Sequence, residues 1–154
     1  MTAATIPYWV SVCTALLTPL IAVVAVGIAL EQWRTNRNKL KLDLFDRRHG
    51  YYEAARELIA SIKTSGAASN ASNLEFLQKS RGAQFVVGGN IAMYFEQLYA
   101  KALDLNCLAA ELVGFGAGPE RTTNVGKQSE IKGWFGSQYA VLDEMFKPLL
   151  KLEH

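Results

Sequence analysis

The chain has 154 residues and a formal net charge of +2, a length that suits one membrane segment plus one small domain and leaves no room for two full domains. No charged side chain precedes Glu31, so the modest total conceals an uneven distribution. The two cysteines exclude a disulfide framework, because Cys13 sits in an apolar run and Cys107 far along the chain; a reduced, cytoplasmic setting for Cys107 is the simplest reading.

From Ile6 to Leu30 the chain reads IPYWVSVCTALLTPLIAVVAVGIAL, 25 residues without a charge. As a helix rising about 1.5 Å per residue it covers ~37 Å, more than the ~30 Å hydrocarbon core of a bilayer. Tyr8 and Trp9 at one end and Trp33 at the other suit the headgroup regions. A cleaved signal peptide fits poorly. There is no basic n-region, the apolar run is too long, and the continuation is charged. The expected organisation is a transmembrane segment over residues 1–33, spanning about 6–30, and a cytoplasmic helical domain over 34–151. Residues 152–154 read as the start of a vector-derived tag, which leaves His49 as the one native histidine.

Orientation follows from Arg34, Arg37, Lys39 and Lys41, which come directly after the span with no acid among them. The positive-inside rule puts the C-terminal domain in the cytoplasm and the short N-terminus outside. The same four cations would attract anionic lipid headgroups. Within the span, Ser11, Ala15, Thr18, Ala22, Ala25 and Ala29 recur at alternating spacings of four and three, the seam of a left-handed helix pair. Small residues let membrane helices approach closely, and the hydroxyls of Ser11, Thr14 and Thr18 can bond across helices. This face is expected to drive self-association. Pro19 removes a backbone donor near mid-span, where a kink is expected. A ring of such helices could also turn the hydroxyls inward as a weakly polar pore, though no intramembrane carboxylate or lysine marks an ion path.

The three-four spacing continues past the span through Trp33, Arg37, Leu40, Leu44, Arg47, Tyr51, Ala55, Leu58 and Ile62. A second apolar row, Leu42, Phe45, Tyr52 and Ile59, lies beside it. A helix to about Lys63 is predicted, with a possible break at Gly50. Asp43 with Arg47, and Lys39 with Asp43, have the spacing of helix-surface ion pairs. The small polar residues 64–73 predict a loop, and a helix from about Leu74 carries Leu77, Phe85 and Val86. Gly88 and Gly89 punctuate it, with Asn90 as the expected N-cap of a regular helix from Ile91 to Val113. That helix should bury Ile91, Phe95, Leu98, Ala102, Leu105, Leu108 or Ala109, and Leu112. Gly114 to Lys127 predicts a second loop. Ser129 then caps a last helix, with Ile131, Trp134, Phe135, Leu142, Met145 and Phe146 on its apolar face, ending near Pro148. The run Gln84 to Val87 is the one weak strand candidate. The expected fold class is all-α, a membrane helix continuing into a bundle of about four cytoplasmic helices.

No active site is expected, and no cofactor or metal. Zinc needs three or four converging ligands, whereas His49 and Cys107 stand alone in the sequence. A Cys-His or Ser-His nucleophile would depend on His49, which reads instead as an interfacial or surface helix residue. The stretch Gly114-Phe115-Gly116-Ala117-Gly118-Pro119 suggests a phosphate loop only superficially. No strand precedes it, it holds no lysine, and no helix N-terminus is expected to follow. The charged cluster Asp43, Asp46, Arg47 and Arg48 reads either as a self-paired solvated face or as a subunit or partner contact in which the arginines bridge to acids on a neighbour. Basic residues beyond Lys41 are interspersed with acids, so nucleic-acid binding is not expected.

The string Gln32-Trp33-Arg34-Thr35-Asn36-Arg37, followed by Lys39 to Arg48 and Tyr52-Glu53-Ala54, resembles a widespread set of short bacterial membrane proteins with one N-terminal span. Gln84 to Leu105 and Phe146-Lys147-Pro148 are similar to their later segments. The resemblance implies a bacterial inner-membrane location and supplies no activity. More loosely, the layout looks like that of the membrane accessory proteins of RNA-targeting CRISPR systems, which join one span to a HEPN-like helical domain and assemble as a pore. HEPN nucleases place a histidine several residues after an arginine, whereas Arg47 and Arg48 directly precede His49 here, so nuclease activity does not carry over. The expected function is a non-enzymatic, homo-oligomeric inner-membrane protein whose helical domain assembles subunits or docks a cytoplasmic protein. A pore-forming channel or membrane-permeabilising effector, for example in phage defence, is the alternative.

Overall fold

The computed structural model describes residues 8–151, and the backbone alone at residues 8, 10–16 and 18. Five helices follow one another: α1 (Tyr8–Ser65), α2 (Asn70–Ser80), α3 (Ala83–Val86), α4 (Gly89–Gly114) and α5 (Pro119–Phe146). No strand occurs among the described residues, and the fold is all-α. The chain divides into two compact units, Met1–Asp43 and Leu44–His154.

In the first unit α1 passes through Pro19 without a change of helix type, and every residue from 19 to 43 is exposed. Residues 34–43, grouped with the bundle on sequence grounds, belong to this unit. Ile6 and Pro7 lie outside the described residues, as do residues 152–154, where a tag remnant is expected. So do the side chains of Ser11, Thr14, Ala15 and Thr18. Among the described residues no helix is long and apolar enough to cross a membrane. The span expected at 6–30 therefore rests on the sequence alone.

The second unit is a helical bundle around the C-terminal turns of α1. Gly50 does not interrupt that helix. Ala54, Ala55, Leu58, Ile59 and Ile62 are buried, as the continuing stripe requires. They meet a core from the other helices in which Phe76, Phe95, Leu98, Leu105, Phe135, Leu142 and Phe146 are almost fully enclosed. Phe95 is its aromatic hinge, stacking on Phe146 with centroids 6.2 Å apart and meeting Phe76 edge-on at 5.5 Å. Removing a side chain as enclosed as Leu98 typically costs roughly 2–5 kcal/mol.

The loops are shorter than expected, for local reasons. α1 ends where Gly66 adopts φ +68° and its N–H returns to Ile62 O at 2.8 Å, a left-handed C-cap. α2 starts at Asn70 rather than Leu74, because Ser69 Oγ accepts from Ser72 N at 3.0 Å. The expected helix through Phe85 and Val86 is broken at Gly82, φ +82°. Residues 84–87 are not a strand, since Ala83–Val86 is helical and Val87 N bonds to Ala83 O at 2.8 Å. α4 is capped by Gly88, φ +92°, not by Asn90. Its buried residues are Ile91, Phe95, Leu98, Ala102 and Leu105, as periodicity predicted, with Tyr94 in addition; Leu112 is only partly covered.

The largest correction is α5, which begins ten residues before Ser129. Pro119 occupies its first turn with φ preset for a helix, and Glu120 complements the helix dipole. The inward face of these early turns is amide rather than hydrocarbon. Gln128 Nε2 donates to Asn124 Oδ1 at 2.8 Å, and Asn124 Nδ2 donates to Glu111 Oε2 at 3.3 Å. Further along, Tyr94 donates its hydroxyl to Gln138 Oε1 at 3.2 Å. Burial pushes that phenol up to about 12, so it remains a neutral donor at physiological pH.

Candidate functional site

The first unit carries the residues expected to face a neighbour. Ala22, Ala25 and Ala29, the described part of the small-residue seam, are exposed. Beside them Val24, Gly27, Ile28 and Glu31 line a shallow groove along the same helix, left open because nothing approaches within 4 Å of a Cβ built on Gly27. Thr35 Oγ1 bonds back to Glu31 O at 2.9 Å and keeps its hydroxyl on the helix. Arg34, Arg37, Lys39, Lys41 and Asp43 are all exposed. Arg37 lies over the Trp33 ring with its guanidinium carbon 5.6 Å from the centroid, which anchors a cation to an aromatic at the position expected for the headgroup boundary. Trp33 and Leu40 are 60 % and 62 % exposed although both follow the uncharged run.

In the second unit the charged cluster has two fates. Asp46 and Arg47 are exposed and form no ion pair among the described residues. Arg48 turns inward and donates Nη1 to Leu149 O at 3.3 Å, tying α1 to the segment after α5. Its Nε is enclosed and has no acceptor. Next to it Tyr52 donates its hydroxyl to Asp143 Oδ1 at 2.8 Å, and that bond, with burial second, raises the phenol above its ordinary value. The sequence places Tyr52 only in an apolar row and does not single out Asp143; the two are 91 residues apart, and nothing local links them.

His49 stacks on Phe45 and meets Tyr52 at a tilt, with centroids 5.9 and 6.0 Å away, and its Nε2 lies 3.8 Å from Glu53 Oε1. This is the surface helix position expected for it. Cys107 is an exposed free thiol on α4. No three His, Cys, Asp or Glu side chains converge as a metal site among the described residues. The glycine stretch at 114–119 does lead into a helix N-terminus, contrary to expectation, because α5 starts at Pro119. It still lacks a preceding strand and a lysine, and the proline removes one of the amide donors an anion would need. Arg121 Nη1 donates to Phe115 O at 3.2 Å and closes the loop on itself. In comparisons with known proteins, no family model, no curated protein and no solved structure matches the chain.

Proposed function

We propose that this chain is a non-enzymatic, homo-oligomeric bacterial inner-membrane protein whose helical bundle assembles subunits or docks a cytoplasmic partner. The observation that carries the reading is the exposure of every residue from 19 to 43 on α1. Helices in proteins draw most of their stability from packing an apolar face. Among the described residues these turns pack on nothing in their own unit, and Trp33, Leu40 and Leu42 remain large exposed apolar groups beyond the uncharged run. Lipid would cover the residues up to Leu30, and the charge-free sequence from Ile6 supports that assignment. A neighbouring chain would cover the rest. The basic residues at 34, 37, 39 and 41 would hold the bundle on the cytoplasmic side and meet anionic headgroups.

The test is the mass of detergent-extracted full-length protein at micromolar concentration, for which an oligomer is expected. Leucine at Ala22, Ala25 or Ala29 should weaken assembly, because added volume separates helices that approach through small residues. A monomer in the wild type would remove the basis of the reading.

A further inference from the structure

On the bundle, away from the residues considered so far, a cleft of about 190 Å³ opens between α2, α3 and α4. Its walls are Leu77, Arg81, Ala92, Phe95, Glu96 and Tyr99. For scale, an apolar cavity of roughly 150 Å³ holds a benzene-sized ring. Ala83 and Gln84 of the short helix α3 also line the cleft, and the next residue, Phe85, is 83 % exposed. An aromatic left in water forgoes roughly 1.5–3 kcal/mol of burial. Arg81 and Glu96 are exposed, and neither forms an ion pair among the described residues.

We infer that this cleft receives Phe85 of a second copy of the chain in a two-fold interface. The inference deepens the assembly reading above and rests on it. A two-fold contact is isologous: whatever a residue of one copy meets, its equivalent meets in return. One face here carries an apolar knob, a hole of ring size, one unpaired cation and one unpaired anion. A second copy brings all four complements at once, the ring of each filling the hole of the other and Arg81 of each meeting Glu96 opposite. A foreign peptide would have to supply a ring and both charges at the same spacing. Gly82 contributes by its left-handed turn, which lets α3 leave α2 sharply enough to set the knob beside the hole.

The test measures self-association of the full-length protein in detergent micelles by sedimentation. Phe85→Ser should weaken it by roughly tenfold or more, and Ala92→Trp should do so from the opposite side by filling the hole. Arg81→Glu and Glu96→Arg should each weaken it, and the double variant R81E/E96R should restore it, an outcome that a purely structural role for either residue would not give. Because Phe85 is exposed and the two charges are unpaired, Phe85→Ser and the charge reversals should keep the wild-type helical content in far-ultraviolet circular dichroism, whereas the melting temperature should fall only as far as association is lost. Unchanged association in Phe85→Ser overturns the inference, as does a double variant no better than its parents. If association survives those variants but falls on leucine substitution of Ala25, the cleft is excluded and the assembly reading stands. A monomeric wild type removes both.

Discussion

Asn73 is 3 % exposed, and neither its amide nitrogen nor its carbonyl oxygen has a hydrogen-bond partner. Other buried amides of the bundle are served: Gln128 donates to Asn124, which donates to Glu111, while Gln138 accepts from Tyr94 and donates to Trp134 O. An enclosed polar group with no partner costs about 1–3 kcal/mol of desolvation. Asn73→Leu is therefore expected to raise stability by about 1–2 kcal/mol, read as a higher denaturation midpoint of the full-length protein in urea. A lower midpoint would mean that the amide is bonded in solution. Single residues of this kind are not legible in sequence. Asn73 lies in the polar stretch 64–73, where an asparagine predicts a loop; only the fold turns it inward, three positions before buried Phe76.

Among elements, legibility followed the chemistry of the buried face. α4 buries Ile91, Phe95, Leu98, Ala102 and Leu105, which its periodicity showed, and Tyr94, which it did not. α5 buries Asn124, Gln128 and Gln138 beside Phe135, Leu142 and Phe146. Its first half thus has no apolar repeat and resembles a loop, although Pro119 and Glu120 together form a helix-start signal. The break between α2 and α3 depends on one residue. Gly82 holds φ +82°, and a Cβ there would meet Tyr51 Oη at an ordinary 3.7 Å, so the penalty for a side chain is backbone strain. Gly82→Ala should destabilise the bundle by about 1–2 kcal/mol, seen as a lower thermal midpoint in far-ultraviolet circular dichroism. Tyr51, whose hydroxyl donates to Arg81 O at 3.2 Å, pins the same turn from α1.

For the whole molecule, charge is divided unevenly along the chain. From residue 44 onward twelve basic and twelve acidic residues cancel, and the net +2 lies in the first 43 residues, where four basic residues meet Glu31 and Asp43. If those cations hold the bundle in the cytoplasm, the exposed thiol of Cys107 reports it. A membrane-impermeant maleimide should leave Cys107 unlabelled in intact spheroplasts and label it after permeabilisation. Labelling in intact cells would reverse the orientation. Replacing Arg34, Arg37, Lys39 and Lys41 by glutamine should shift the population toward that reversed pattern.

The sequence by itself determined that the chain is all helical, that its uncharged run lies at the N-terminus, and that residues 55, 58 and 62 of α1 face a core. These follow from local spacing and charge, which need no knowledge of distant neighbours. Only the tertiary structure decided which part of the long stripe is used within the chain. Ala55, Leu58 and Ile62 are buried in one core cluster with residues of α2, α4 and α5, while Trp33 and Leu40, indistinguishable from them by period, are left exposed. It also decided that Arg48 turns toward Leu149, that Tyr52 meets Asp143, and that Phe85 is left exposed next to residues that line a cleft. Each of these joins segments far apart in the chain, and a repeat read along one helix carries no information about what packs across from it.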